Sequence, residues 1–401
     1  MIQRFKSAIA LIFITSSLLA QTAVAPSGTG TSSDPYIVST LDNLYWVTQN
    51  SSSWNKYFLQ TANIDASATS TWTGGFSPIG VWPTYFTGQY DGGSYEIQNL
   101  YIDASQYAVG VFGRVTGSNA VVKNLGVTSA NINNNTSVSV TGGIAGYLLS
   151  GGLIENCWFE GVINLYSVYT SSLGGIVGAV DGATSKVNKC WSAGCLSGDT
   201  TTYNSTLGGI CGTFKRHMTD CYTIADIKAG YQIGGICGDV YSTYGLGTVE
   251  RCYSAGTVPS AGNTIVKRIN SGTTFSNLYY NSTTYSGQSP GITSGSTALS
   301  TTQMKSSANF SGFDFVNTWS IATTVNNGWP TLIGSSVPSG CSSCNFSNDI
   351  VTACSTYTWI DGNTYTSNNY SATHTLTTTS GYDSVVTLKL TILNNTGTNV
   401  I

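Results

Sequence analysis

Charged side chains are scarce in this sequence. Its 401 residues include 15 Lys and Arg against 18 Asp and Glu, so that 8% of the chain is charged, whereas an ordinary domain carries about a quarter. A disordered chain combines high net charge with low hydrophobicity, but here 41% of the residues are hydrophobic. The net charge of −3 offers no basic stripe to neutralise phosphates. We therefore expect a folded protein with no nucleic-acid partner.

Residues that serve the common catalytic mechanisms are equally few. His217 and His374 are the only histidines, and neither lies in an HExxH motif, which metallopeptidases need to place two imidazoles on one helical face. No GxSxG motif lies between a predicted strand and a predicted helix. The sequence thus predicts no catalytic residue, no metal site and no cofactor.

The first 25 residues have the three parts of a secretory signal peptide. Arg4 and Lys6 precede an apolar run at residues 8–20, and Ala23-Val24-Ala25 is a cleavage pattern of small residues. The run is too short to cross a bilayer as a helix, and no second long apolar segment follows it. We expect cleavage near Ala25 and a mature chain, without a membrane span, that is secreted or held at the outer cell surface.

Two series of short motifs repeat through the middle of the chain. GGIAG begins at Gly142, GGIVG at Gly174, and GGICG at Gly208 and again at Gly234, after a related VGVFG at Val109. The second series has a Leu or Cys at its centre, followed in most copies by an aromatic residue. Its central residues are Leu100, Leu125, Cys157, Cys190, Cys221, Cys252 and Leu278.

The period of the repeat favours a stacked β fold. The central residues are 25, 32, 33, 31, 31 and 26 positions apart, and each unit holds short β-prone runs broken by Gly, Ser, Asn and Asp. Such strands bury a face only if successive turns stack, as in a parallel β-helix. A propeller is the alternative, but its blades need about 40 to 45 residues. We predict an all-β parallel β-helix in which the seven central residues form one interior column, about 4.8 Å apart.

Two sets of side chains leave alternatives open. Cys211 and Cys237 fill the same place in neighbouring GGICG segments, so they are either a disulfide or a pair of free buried thiols. The aromatic residues that follow the column cysteines point away from the interior if the strands alternate. They either form a track on which sugars stack or pack on one another between turns. These residues are Trp158, Trp191, Tyr222 and Tyr253.

Several motifs together resemble the GLUG-motif family of bacterial surface proteins. The likeness rests on the GGIxG segments, the CWSAG and CYSAG segments at Cys190 and Cys252, a leader GTGTSSDPYIVST from Gly28, and a closing GWPTL from Gly328. It covers about residues 28–334. The resemblance implies a right-handed β-helix exposed outside the cell, in adhesins or beside other modules of large surface proteins.

The ends of the repeat region have their own patterns. Ser39 and Asp42 are spaced as a capping box, which predicts a short helix over residues 40–50 in an N-terminal cap.

Residues 339–401 resemble a small β module of Bacteroidetes surface proteins, with Asp361-Gly362-Asn363 as a hairpin-type turn and with Val386, Leu388, Leu390 and Ile392 on one face. That module usually has a Cys where Tyr382 stands, so the resemblance leaves Cys354 to pair with Cys341 or Cys344. We expect the module to be truncated.

These patterns predict five segments and a non-catalytic function. The segments are a signal peptide (1–25), an N-terminal cap with the first turns (26–107), the repeat β-helix (108–265), C-terminal turns with a cap (266–338) and the small module (339–401). We expect a non-catalytic extracellular scaffold for adhesion, binding a glycan or a surface protein. A carbohydrate-active β-helix enzyme and an accessory module of a surface metallopeptidase system are the alternatives. Charges such as Glu155 and Glu160 are interpreted as solubilising groups.

Overall fold

The computed structural model describes most of the chain after the predicted signal segment. The described residues are 21–136, 138–166, 170–182, 184–198, 205–241, 247–270, 272–292, 294–338, 347–353, 355–369, 372–377 and 383–392. The signal segment up to residue 20 and the cysteines Cys341, Cys344 and Cys354 lie outside them. Residues 23–25, where cleavage is predicted, are exposed.

Regular structure in the described residues consists of short strands and one α-helix, α1 (Leu41–Gln49). Single 3-10 turns cover Ser51–Ser53, Ser67–Thr71, Gln303–Lys305, Ser307–Asn309 and Asn326–Gly328. The strands are β1 (Tyr36–Val38), β2 (Tyr57–Gln60), β3 (Ile64–Asp65), β4 (Gln89–Gln98), β5 (Tyr101–Ala104), β6 (Ala108–Val109), β7 (Phe112–Thr116), β8 (Val121–Asn134), β9 (Ser139–Gly142), β10 (Ala145–Leu149), β11 (Leu153–Glu155), β12 (Trp158–Leu165), β13 (Ser171–Gly174), β14 (Val177–Val180), β15 (Lys186–Asn188), β16 (Trp191–Ser197), β17 (Ser205–Gly208), β18 (Cys211–Phe214), β19 (His217–Thr219), β20 (Tyr222–Thr223), β21 (Asp226–Ala229), β22 (Gln232–Gly234), β23 (Cys237–Tyr241), β24 (Gly247–Ser254), β25 (Val266–Asn270), β26 (Thr273–Asn281), β27 (Ser296–Leu299), β28 (Trp319–Ser320), β29 (Thr331–Leu332), β30 (Ser347–Ala353), β31 (Tyr357–Thr358), β32 (Thr364–Tyr365), β33 (Thr373–Thr377) and β34 (Asp383–Ile392).

Successive turns of the chain stack as parallel strands, which confirms the predicted β-solenoid. One turn runs through β11 and β12 in a large sheet A, then β13 in sheet C, then β14 in sheet B. Sheet B contains β7, β10, β14, β18, β23 and β25, and sheet C contains β6, β9, β13, β17 and β22. The six strands of sheet B mark six turns. The pairings within all three sheets are parallel.

Six of the seven predicted column residues share one interior column. The strands of sheet A pair in register through these turns. Each column residue therefore lies beside the column residue of the next turn. All six side chains are 0% exposed. They are Leu125, Cys157, Cys190, Cys221, Cys252 and Leu278.

Leu100 lies outside this column, contrary to the prediction. The register partner of Leu125 is Tyr95, which lies five residues before Leu100 in the chain. In this first turn the backbone has two corners with positive φ, one at Gly93 (60°) and Ser94 (64°) and one at Asn99 (59°), and the second corner carries the Asn-Leu-Tyr sequence. Leu100 is buried in the main core at 1% exposure, one corner further along the chain.

The residue before each column position has a left-handed backbone. Asn and Asp tolerate this conformation better than other non-glycine residues, and they occupy most of these corners. Their side chains bond along the stack, since Asn156 Nδ2 donates to Asn124 Oδ1 at 2.9 Å. With φ between 50° and 53°, they are Asn124, Asn156, Lys189, Asp220, Arg251 and Asn277.

The GGIxG segments form the corner between sheet C and sheet B. The Ile lies in the main core, whereas the last glycine of the segment lies against the backbone of the preceding turn. A Cβ added to Gly178 would lie 2.4 Å from Thr141 N and 2.7 Å from Gly146 O, closer than any side chain is tolerated. Glycine is needed here because the two backbones approach each other directly.

Helix α1 covers the N-terminal end of the solenoid. Its N-cap is Thr40, whose hydroxyl accepts a hydrogen bond from Asn43 N at 3.2 Å, one residue later than predicted. Leu44 and Val47 are fully buried in the main core, and Trp54 Nε1 donates to Val47 O at 2.8 Å. The helix thus shields the apolar interior of the first turns from water.

Residues 300–333, which we call the C-terminal cap, pack on the outer face of sheet A. They include three 3-10 turns and the antiparallel pair β28 and β29. Buried cap residues form one cluster with the aromatic residues of sheet A. The cap residues are Met304, Phe310, Phe313, Trp319 and Leu332.

The C-terminal segment forms a separate small sheet. Strand β34 pairs in parallel with β30 and antiparallel with β33, and β31 and β32 form the hairpin predicted at Asp361-Gly362-Asn363. Leu388, Leu390 and Ile392 are buried with Trp359, in agreement with the predicted alternation.

Cys211 and Cys237 are register partners in neighbouring turns, yet both are free buried thiols, so the disulfide alternative is wrong. Their side chains lie side by side in a parallel stack, and Cys211 Sγ turns to its own strand, 3.2 Å from Thr213 O. Burial raises the pKa of both thiols. Cys195 is disulfide-bonded.

A thiol count tests this arrangement. Six described cysteines are free and buried, so we expect at least six reactive thiols per chain in denaturant without reductant. The same six are expected to resist a thiol reagent in the native state, because reaction requires an accessible thiolate. Fewer than six thiols after unfolding would contradict the assignment of these six cysteines as free thiols. Titration after reduction is the control and should add the thiols of Cys195 and its partner.

Candidate functional site

An open groove runs along the solenoid between the outer faces of sheets B and C. Its volume is about 530 Å³, within the range of small-molecule sites. The GGIxG corner folds the two sheets toward each other, so that side chains pointing outward from both converge. Near one end the floor is apolar, where Ala108, Val140 and Ala179 pack together with Tyr147 beside them.

One residue from each turn points outward from sheet B, and consecutive ones are register partners. In the first five turns this residue follows the last glycine of the GGIxG or related VGVFG segment, whereas in the sixth turn it follows Lys267. Their types differ widely from turn to turn. Arg114 lines a depression that adjoins the groove, and the residues that line the groove itself are Tyr147, Ala179, Thr213, Asp239 and Arg268.

Three hydroxyl groups form a bonded triangle on the groove floor. Ser172 Oγ lies 2.9 Å from Thr213 Oγ1 and 3.0 Å from Thr206 Oγ1, and the hydroxyls of Thr206 and Thr213 are 2.9 Å apart. Ser172 Oγ donates its proton to Gly178 O at 2.8 Å. Hydroxyls both donate and accept, so this triangle is suited to a polar ligand rich in hydroxyl groups.

Paired charges mark the C-terminal half of the groove. Lys215 Nζ lies 2.7 Å from Asp181 Oδ2, and Arg268 pairs with Asp239, which is only 4% exposed. Burial opposes the ionisation of Asp181, but the hydrogen bonds from Lys215 and from Gly182 N hold its pKa below the ordinary value. The hydrogen bond to Asp239 raises the pKa of Arg268. Both carboxylates therefore have cationic partners.

Aromatic rings line the N-terminal half. Tyr107 and Tyr147 have ring centroids 6.3 Å apart, and Trp82, which is 76% exposed, lies 6.2 Å from Tyr85. A depression of about 250 Å³, bounded by Trp82, Tyr107 and Arg114, adjoins the groove here. Burial raises the pKa of Tyr147 to about 12, with Asp181 and Tyr107 adding to the effect and Arg114 opposing it.

The four aromatic residues predicted as a sugar-binding track are not accessible. They are 0–1% exposed because the C-terminal cap lies over them. Their rings stack between turns, with centroid separations of 6.5, 5.9 and 4.9 Å and interplanar angles of 9–17°. This is the packing alternative, and it corrects the glycan-stacking hypothesis for Trp158, Trp191, Tyr222 and Tyr253.

The other chemically active groups lie apart from one another. His217 Nδ1 lies 3.0 Å from Thr248 Oγ1 on sheet A, while His374 lies in the C-terminal sheet. Glu160 is 5% exposed, which corrects its interpretation as a solubilising charge. Within the described ranges no three His, Cys, Asp or Glu residues are grouped as a metal site. The part of the chain that the structure describes also has no helix long and apolar enough to span a membrane.

Sequence reasoning missed the groove residues, although one signal was present. The residue after each GGIxG segment varies while the segment does not, being Tyr147, Ala179, Thr213 and Asp239 in successive copies. A variable position behind a fixed corner is what a recognition surface on a regular scaffold requires. Trp82 and Tyr107 carry no comparable signal, because they lie in connections outside the repeat.

Comparison with known proteins gives two similarities. No family model matches the chain. A segment of 159 residues, 38% of the chain, is 35% identical to halomucin of Haloquadratum walsbyi, and the chain spans about 2% of the length of that protein. A Bacteroides ovatus crystal structure provisionally described as an immunoglobulin A1 protease superposes with a TM-score of 0.54 and 21% identity, covering 77% of this chain and 95% of that one. At this identity the likeness concerns the fold alone.

Proposed function

We propose that this protein is a non-catalytic extracellular β-helix module that binds glycans in the groove between sheets B and C, as a member of the GLUG-type surface proteins. The similarity to a segment of halomucin supports a place in a surface protein. The observation that carries the proposal is the convergence in one groove of exposed aromatic rings and a hydroxyl triangle. Sugars offer apolar ring faces and hydroxyls, which these two groups match.

The charges of the groove favour binding over hydrolysis. A glycosidase needs a carboxylic acid that stays protonated near neutral pH, which requires a raised pKa. The pKa of Asp181 is lowered instead, and Asp239 is engaged by Arg268. Each ion pair joins neighbouring turns on the sheet B side of the groove, and the lowered pKa of Asp181 makes this carboxylate a poor proton donor.

A glycan array tests the proposal with two tyrosine variants. Tyr107→Ala removes a ring that is 40% exposed at the groove, whereas the control Tyr95→Ala removes a ring that is 39% exposed on sheet A. We expect the Tyr107 variant to lose about 10-fold or more in affinity for the glycans that the native protein binds, because one stacked ring contributes about 1–3 kcal/mol in comparable aromatic stacking. The Tyr95 variant should bind normally.

Two results would contradict the proposal. Equal binding by both variants would place the site outside the groove. Release of reducing sugars from a bound glycan, abolished by Asp181→Asn or Asp239→Asn, would show that the groove is catalytic.

A further inference from the structure

Arg114 differs from the other cations of the groove in its partners. Lys215 and Arg268 each have a carboxylate within ion-pair distance. Among the described residues no carboxylate forms an ion pair with Arg114. Asp181 and Asp239 pair with Lys215 and Arg268, so these two carboxylates leave the positive charge of Arg114 unpaired on a chain whose net charge is −3.

Two rings and one hydroxyl hold Arg114 in place. Its guanidinium carbon lies 5.0 Å from the ring centroid of Tyr85 and 4.8 Å from that of Tyr107, and Nη1 donates to Tyr85 Oη at 2.8 Å. A guanidinium that stacks on rings keeps its N–H groups in its own plane, where they match the two oxygens of an anion. One of its five N–H groups is used by Tyr85.

The position of Arg114 links its charge to the proposed sugar site. It bounds the depression beside Trp82 and Tyr107, and its column neighbour on sheet B is Tyr147. The positive charge of Arg114 also opposes the rise in the pKa of Tyr147. A ligand that stacks on these rings therefore meets the guanidinium at the same time.

We propose that the groove selects anionic glycans, whose carboxylate or sulfate group binds Arg114 while an adjacent sugar ring packs on Tyr107 or Trp82. This inference rests on the proposed function and names its ligand class. Charge complementarity supports an anion, because Arg114, in the depression that adjoins the groove, forms no ion pair with a described carboxylate. The exposed rings beside it favour a sugar over a peptide, and an acidic peptide is retained as a competing outcome of the test.

The test is isothermal titration of the mature chain with four probes. They are an oligogalacturonate, the same oligomer with its carboxylates methyl-esterified, a sulfated galactan oligomer and a poly-glutamate peptide. The proteins are the native chain, Arg114→Gln, Arg114→Lys and the control Lys123→Gln. The control removes the same charge from a lysine on sheet A that pairs with Asp91 at 3.2 Å.

We expect at least one anionic glycan to bind and Arg114→Gln to weaken it about 10-fold or more, as for the loss of a charge-assisted hydrogen bond. Arg114→Lys should recover part of the affinity, since it restores the charge without the planar fork. Lys123→Gln should change little. If the carboxylated oligomer binds, its ester should be weaker; if only the sulfated one binds, the anion is a sulfate. Circular dichroism and melting of each variant verify the fold.

Four results would overturn this inference. They are equal binding of acid and ester without sulfate preference, no effect of Arg114→Gln, tighter binding of poly-glutamate than of any glycan, and no binding of either anionic glycan. The proposed function survives the first two if array binding still depends on Tyr107. It fails separately if the array finds no glycan ligand at all.

Discussion

Replacing Trp319 by alanine is expected to lower the free energy of unfolding by about 3–5 kcal/mol, the range for a large buried aromatic side chain. Trp319 is 0% exposed. Its ring lies 4.6 Å from Phe313 and 6.0 Å from both Tyr222 and Tyr253, and Nε1 donates to Asp220 Oδ1 at 3.1 Å. The substitution therefore removes the centre of the contact between the C-terminal cap and sheet A.

Urea unfolding monitored by near-ultraviolet circular dichroism measures this loss of stability. The stacked rings beneath the cap give a signal that depends on their packing. Val316→Ala is the matched control in the same cap, at a residue that is 81% exposed, and should change stability by less than about 0.5 kcal/mol. Trp319→Phe should fall between the two. If Trp319→Ala unfolds like the native chain, the cap does not stabilise the solenoid.

The second large effect is expected from adding one methyl group at the corner between sheets B and C. Gly178→Ala places a Cβ against two backbone segments, 2.4 Å from Thr141 N and 2.7 Å from Gly146 O. Neither backbone is free to move without breaking its sheet, so we expect a loss of about 3 kcal/mol or more, at or above the upper end for overpacked sites. Because the corner sets the angle of the groove, glycan binding should weaken as well.

Ala179→Ser is the control for this substitution. It adds one heavy atom at the next residue, whose side chain points into the groove, and should cost less than about 1 kcal/mol. Thermal and urea unfolding of both variants give the comparison. Equal stability of Gly178→Ala and the native chain would mean that the corner tolerates a side chain and that the repeated glycines have another cause.

The sequence predicts the column from Leu125 to Leu278 because six turns use the same corner. It fails at Leu100, where a second corner in one turn carries the same three-residue pattern. The 25-residue spacing of Leu100 does not reveal this, because Leu278 follows Cys252 by only 26 residues and still lies in the column. Motif spacing identifies equivalent corners only where each turn has one.

The aromatic residues of sheet A and the groove show a second limit of prediction from the sequence. Strand alternation correctly places Trp158 and Trp191 on the outer face of sheet A, but an outer face is solvent-exposed only if nothing packs on it. The cap that covers them begins about 140 residues after Trp158, and no local pattern links the two segments. The groove likewise depends on the angle between two sheets, which composition and periodicity do not encode.

In-register stacking has a consequence for how such a surface changes over generations. Each turn contributes one side chain to the sheet B wall, at a position with few packing constraints. A single substitution there changes one wall residue and leaves the neighbouring turns in place. Duplication of one repeat would lengthen the groove by one strand spacing, about 4.8 Å, and add one new wall residue. Ligand preference is thus adjustable in steps, while the hydrophobic interior is inherited unchanged.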